Sequence, residues 1–317
     1  MSEKNSKHEL YLTRVYDAPV QMVWEAWNDP KQVSQWWGPR GFTITNHKKD
    51  LRPGGIWHYT MHGPDGTDYQ NKTLYHEVIE FKKLVYDHGG NDEQDPMFQV
   101  TVLFEEVKGK TKLEFTMAFK DDASLRNAKK VIKDANGNST WDRLAEYLCD
   151  KKEKKSVFFI NRSFDVDIET MFEAWTDPDQ VVKWSGPTGA QMEYIDVDIR
   201  TGGSAFYKMP FGEITIYGKV QYIEVRKPDR LVYVQSFANQ DGSPGRHPMA
   251  PTWPQSMLTT IEFSEEAHGG TRITLQWEVT GNWTQAELET FIAGRSGMTQ
   301  GWTGSFDKLD EHLEHNK

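Results

Sequence analysis

The chain is short of the residues that staple, span or neutralise. Its 317 residues include one cysteine, Cys149, which excludes an intrachain disulfide and a thiolate metal centre and suits a reducing compartment. No run of about 18 apolar residues occurs, so no segment has the length to cross a bilayer as a helix. The opening MSEKNSKHELYLTRVY lacks the apolar centre of a secretory signal, so the expectation is a cytoplasmic protein without membrane insertion. Positive charge is scarce too: 37 Lys and Arg against 47 Asp and Glu leave a net −10. The basic residues do not cluster as phosphate neutralisation requires, which argues against nucleic acid. Phosphate loops, dinucleotide fingerprints and a Ser-His-Asp order are all missing, and no cofactor is expected.

What the chain does have is a second copy of itself. Asp17, Glu25, Ala26, Trp27, Asp29, Pro30, Gln32, Val33, Trp36, Gly38, Pro39 and Gly41 each recur 148 positions later. The register holds as far as LRPGGIWHYTM (Leu51 to Met61) and IRTGGSAFYKM (Ile199 to Met209). A period of this size is a whole domain and not a solenoid repeat. The reading is therefore a first domain over 1–150, a charged linker over 151–156 containing most of the run DKKEKK, and a second domain over 157–317.

Each copy opens with a strand, then two short helices meeting at Asp29-Pro30 or Asp177-Pro178, where an N-cap carboxylate precedes a proline at the first helical position. Alternating β-rich runs follow. In IWHYTMH, Trp57, Tyr59 and Met61 take one face and His58, Thr60 and His62 the other. Gly54-Gly55, Gly109-Lys110 and Gly269-Gly270 separate runs that should pair antiparallel as a meander. A helix closes each copy, with a bend or break expected at Asn136-Gly137 in the first and Gly294, Gly297, Gly301 and Gly304 scattered through the second. An α+β unit is the result: a curved antiparallel sheet around a long C-terminal helix, leaving an aromatic-lined gap where a small ligand fits.

The segments EAWNDPKQVSQWWGP, LRPGG, TKLEF and STWDRLAEYL, matched in the second copy by EAWTDPDQVVKWSGP, IRTGG, TRITL and GWTGSFDKLDEHL, resemble the Aha-type branch of the SRPBCC (START-like, helix-grip) superfamily. This branch takes its name from the C-terminal domain of an activator of a heat-shock protein ATPase. The resemblance implies tandem helix-grip domains that bind a small hydrophobic ligand or a protein partner, a chaperone included, in a stress-related accessory role. Related branches contain cyclases and lipid carriers, which keeps a START-like enzyme of the cyclase or hydrolase kind as an alternative.

Residues that invite a catalytic reading have simpler explanations. Asp29 and Asp177 serve as caps, and Gly54, Gly55, Gly202 and Gly203 suit a tight strand connection. His58 and His62 share a strand face more than about 12 Å apart, too far for one metal ion, and Glu77 and Glu224 read as surface strand positions. Aromatic and methionine side chains on inward faces remain as cavity candidates: Trp37, Trp57, Tyr59, Met61, Phe115, Met117 and Trp141 in the first copy, and Tyr207, Met209, Trp253, Met257, Trp277 and Trp302 in the second. Three positions differ tellingly, since Trp37, Trp57 and His58 become Ser185, Ala205 and Phe206. If these face the gap, the two pockets differ in size and polarity. An insertion from Ser236 to Gln255, stiffened by prolines, is expected to act as a partial lid through Trp253 and Met249.

Overall fold

A computed structural model of the chain describes residues 8–90, 95–134, 138–266 and 269–314. The chain divides into two compact units, Met1–Lys154 and Lys155–Lys317. In the first, β1 (Glu9–Tyr16), α1 (Val20–Asn28) and α2 (Pro30–Val33) precede six strands: β2 (Thr43–Lys49), β3 (Ile56–His62), β4 (Asp68–Ile79), β5 (Lys83–His88), β6 (Phe98–Val107) and β7 (Lys110–Ala118). Two helices, α3 (Asp122–Asp134) and α4 (Ser139–Glu153), close it. The second unit repeats the order with β8 (Val157–Phe164), α5 (Ile168–Thr176), α6 (Pro178–Trp184), β9 (Glu193–Val197), β10 (Ser204–Phe211), β11 (Ile214–Arg226), β12 (Arg230–Ala238), β13 (Ser256–Glu265), β14 (Thr271–Val279), α7 (Gln285–Ala293) and α8 (Arg295–Glu314).

Each unit contains one seven-stranded antiparallel sheet. The strands run as a meander whose first strand returns beside the last, in the orders β1-β7-β6-β5-β4-β3-β2 and β8-β14-β13-β12-β11-β10-β9. The register shifts at matching places, Tyr75/Glu77 and Tyr222/Glu224. A bulge of this kind bends a strand and raises its twist. With helices packed on one face of each sheet, both units are α+β helix-grip domains.

The helical corners form for the reason the sequence suggests. Asp29 Oδ1 accepts from the amides of Lys31 and Gln32 at 2.7 and 3.2 Å, and Asp177 Oδ1 accepts from the amide of Asp179 at 2.9 Å. The indole of Trp36 donates to the Ala26 carbonyl at 3.0 Å, and Trp184 repeats the bond to Ala174 at 2.9 Å, so each corner tryptophan ties one helix to the other. The paired glycines are needed for close approach: a Cβ at Gly55 would lie 2.1 Å from the Asp50 carbonyl oxygen, and one at Gly203 2.2 Å from that of Asp198.

Three expectations need revision. The second closing segment is two helices instead of one rod: α7 ends at Gly294, whose amide bonds back to Thr290 and Ile292, and α8 begins at Arg295. The break expected at Asn136-Gly137 lies outside the described residues. The charged run assigned to the linker is helical as far as Glu153, and Lys154, in the left-handed conformation, caps that helix through its amide to the Asp150 carbonyl. Ser236 to Ala238 of the insertion extend β12, leaving a shorter loop before Ser256.

Candidate functional site

The second domain holds a partly open cavity of about 550 Å³, inside the range of small-molecule sites. All six candidates proposed for this copy, Tyr207, Met209, Trp253, Met257, Trp277 and Trp302, line it. They come from different elements. Tyr207 and Met209 sit on β10, Met257 on β13 and Trp277 on β14, where alternation turns their side chains to the helix-covered face. Trp302 reaches in from α8 and stacks on Trp175 of the corner at 14° with centroids 6.1 Å apart. The loop before β13 supplies His247 and Trp253. Trp253 leans on Phe291 of α7, and a Cβ at Gly294 would come within 2.6 Å of its ring. Arg246 and Glu287 add an ion pair between loop and α7. Met249, expected to turn inward, is 57% exposed, because it lies on the outer side of the turn that His247 Nδ1 closes by accepting from the Met249 amide.

Glycines make the space. Gly294, Gly297 and Gly301 all line the cavity, and a Cβ at Gly297 or Gly301 would meet nothing within 4 Å. Gly297, Gly301 and Gly304 recur at four and three along α8, one helical face. Among the described residues, no Asp, Glu, Lys or Arg lines the cavity. Its tyrosines stay protonated: burial pushes Tyr194 and Tyr207 up to about 12 and raises Tyr222 and Tyr233 as well. Burial also lowers the His247 imidazole, which favours its neutral form. The surface is therefore uncharged at neutral pH, suited to enclosing an apolar molecule.

In the first domain the corresponding side chains meet one another. Trp37 touches Trp57, Trp27 and Trp36 with centroids 5.0 to 5.4 Å apart, and its Nε1 donates to the Tyr59 hydroxyl at 3.1 Å. Trp57 stacks on Tyr59 at 4.3 Å and donates to Asn46 Oδ1 at 2.7 Å. Phe115 lies 4.5 Å from Trp141, which stacks on Trp27 at 14°. Met61 lies beside Gly38, and Met117 packs on the edge of the same core. His88 sits among Trp37, Tyr86 and Phe98, and burial lowers its pKa to about 4. Because Trp141 and Trp302 each stack on the matching corner tryptophan, the helix positions align: Arg143 corresponds to Gly304 and Leu144 to Ser305. Arg143 donates to the carbonyls of Gly38, Pro39 and Phe42 at 2.8 to 3.0 Å, whereas Ser305 reaches only Gly186, at 3.0 Å, across the same gap.

His62, the neighbouring His76 and the two candidate glutamates take ordinary partners. His62 contacts Asp68 and Thr45, His76 pairs with Asp87, Glu77 with Lys83, and Glu224 with Arg226 and Arg230. Among the described residues no group of three or more His, Cys, Asp or Glu is placed to hold a metal ion. Sequence reasoning missed Tyr194, Tyr222, Tyr233, Gln235 and the glycine wall. Tyr222 and Tyr233 repeat Tyr75 and Tyr86 of the first copy, a signal that was available in the duplication.

Two stretches, residues 17–149 and 165–314, match the family described as activator of Hsp90 ATPase homolog 1-like protein. The chain belongs to that family. Solved structures resemble single domains of this Aha1-like chain: a protein from Mycobacterium smegmatis is 26% identical, with 47% of this chain and 98% of that one covered at a TM-score of 0.41. A protein from Staphylococcus epidermidis is 26% identical over 48% and 96%, with a TM-score of 0.42. The di-domain ARO/CYC BexL spans 96% of this chain and 98% of its own at 12% identity and a TM-score of 0.39. No curated protein matches the chain. As in its sequence, no described helix of this family member is long and apolar enough to cross a membrane.

Proposed function

We infer that this chain is a binding protein whose second helix-grip domain holds one small hydrophobic molecule without transforming it, in a cytoplasmic, stress-related accessory role. The observation that carries the reading is the uncharged, aromatic cavity of about 550 Å³, kept open by glycines on α8. Burying apolar surface there is worth roughly 25 cal/mol per Å² removed from water, before the cost of association. The lining tyrosines are held in the wrong direction for general bases near neutral pH, and no carboxylate lines the wall beside His247. These features favour binding over a cyclase or hydrolase.

A chaperone-binding module has less support. The outer sheet face of the first domain carries Tyr11 and Val15, but Lys112 with its partners Glu105 and Glu114 interrupts them, so no continuous apolar patch forms. Native mass spectrometry of the protein freshly purified from its own cells tests the binding reading. A reproducible excess mass of small-molecule size, released on unfolding, is the expected result; its absence across preparations, together with no binding of apolar probes, counts against it.

A further inference from the structure

The first sheet carries a pair of histidines that spacing along a single strand does not reveal. His58 on β3 is too far from His62 to share an ion with it, but across the ladder, on β2, stands His47. The register shifts between Asn46 and Lys48, so His47 is the extra residue of a bulge, a device that re-aims a side chain. Here it brings the two imidazoles to 5.2 Å between centroids, with planes 52° apart. His47 is exposed and His58 half-buried. A relay of side chains orients the first ring: the Thr60 hydroxyl donates to Gln70 Oε1 at 3.0 Å, so its oxygen accepts from His47 Nε2 at 2.7 Å. The His47 proton is thereby held on Nε2, and the lone pair is left on Nδ1. Among the described residues the His58 imidazole makes no hydrogen bond or ion pair, and its ring neighbour is His47.

We propose that His47 and His58 form a two-imidazole site for a divalent transition-metal ion of the zinc kind, with water completing its coordination. An ion about 2.0–2.1 Å from a ring nitrogen lies roughly 3.2 Å from the ring centre, and two such rings at a tetrahedral angle have centres about 5.1 Å apart. The observed 5.2 Å fits that arrangement. The contact from Thr60 to His47 is of the kind that fixes the tautomer and orientation of a ligating histidine. Lys48 and Lys72 stand opposite His58 in the ladder, and among the described residues no carboxylate pairs with either histidine. A hard cation that seeks carboxylate oxygen, such as Mg²⁺ or Ca²⁺, therefore finds no ligand set here, whereas neutral imidazole suits Zn²⁺ and Cu²⁺. The duplication supplies an internal control, since Ile195, Phe206 and Lys208 stand in the second copy where His47, His58 and Thr60 stand in the first.

The test titrates Zn²⁺ into the full chain by calorimetry and locates it by the ring-proton resonances of the histidines. The expected result is one equivalent that moves the His47 and His58 resonances before any others, and that an excess of Mg²⁺ of about a hundredfold does not displace. His47→Ile and His58→Phe, which install the residues of the second copy, should each weaken that equivalent at least about tenfold, and together abolish it. Thr60→Val, which leaves both ligands and removes the orienting contact, should weaken it by about tenfold. Where the Phe variant associates through its new apolar ring, His58→Gln takes its place. Affinity should fall as pH drops below about 6.5, because each imidazole must lose its proton to ligate. An unchanged Zn²⁺ isotherm in the double variant, or shifts confined to other histidines such as His8 and His62, overturns the site. Equal displacement by Mg²⁺ overturns the class of ion. None of these outcomes bears on the cavity of the second domain, which lies in the other unit.

Discussion

At the same place in the same fold, the first domain packs tryptophan against tryptophan and the second leaves about 550 Å³ of room. Sheet order, capping aspartates, corner indoles and stacked Trp27–Trp141 and Trp175–Trp302 pairs are common to both. What changes is a handful of side chains: Ser185, on the cavity wall, stands where Trp37 does, Ala205 where Trp57 does, and Gly304, against Thr188, where Arg143 does. A duplicated scaffold therefore preserves the elements that define the fold while its contents drift, since corner, caps and bulges do not depend on what fills the middle. Among the described residues, the first domain brings Trp27, Trp36, Trp37 and Trp57 into contact where the second leaves room.

Exchanging the fillings puts that comparison at risk. The largest effect is expected from Trp37→Ser combined with Trp57→Ala, which should cost the first domain about 3–5 kcal/mol or more by opening a void while raising its binding of an apolar fluorescent probe. Denaturant unfolding and probe titration on the same variant check both halves, and a destabilised but probe-silent domain would show that the rings are not what closes it. Acid is the next lever. Burial lowers His88 to about 4 while the unfolded chain keeps a value near 6.5, so the unfolded state takes up the proton first. Stability present above pH 6.5 should then be lost as pH falls toward 4, by on the order of 3 kcal/mol. His88→Gln, which installs the residue found at Gln235, should flatten that part of the pH profile of the first domain and leave the second unchanged.

The reverse filling, Ser185→Trp, should weaken probe binding in the second domain by about a hundredfold, roughly 2.7 kcal/mol, with little loss of stability because the ring enters open space; retained binding would place the guest elsewhere. The smallest effect concerns the loop. Arg246→Ala removes an ion pair whose arginine is half exposed, so a change of about 1 kcal/mol or less is expected. It should appear mainly as faster probe release in stopped-flow traces, with equilibrium affinity changed only a few-fold.

Much of this architecture was legible from spacing. The 148-residue period, the Asp-Pro corners and the strand alternation that put Tyr207 and Met209 on one face were all readable before any coordinates. Two things were not. Facing beyond Tyr222 on β11 could not be counted through the register shift at Tyr222/Glu224, although Tyr222 itself continues the alternation of Ile216 and Val220 and was open to reading. Nor can a sequence distinguish aromatics that surround a space from aromatics that occupy it: Trp57, Phe115 and Trp141 carry the same alternation and helical period as Tyr207, Trp277 and Trp302. Only the mutual distances separate the two cases. The glycines of α8 were visible too, but whether they mark tight packing or emptiness depends on what stands opposite, and for Gly297 and Gly301 nothing does.

That empty helix face has a thermodynamic consequence. Gly297 and Gly301 on that face, with Gly304 packed on Thr188 beyond it, each weaken α8 by roughly 0.5–1 kcal/mol relative to alanine, so the wall that leaves room is the one least able to keep its own shape. A guest at a hundred times its dissociation constant returns about 2.7 kcal/mol, a sum of the same size as the glycine deficit. On the binding role proposed above, the melting temperature of the second domain becomes a gauge of how much guest is dissolved around it, while that of the first domain, whose tryptophans pack on one another, keeps a fixed reading beside it.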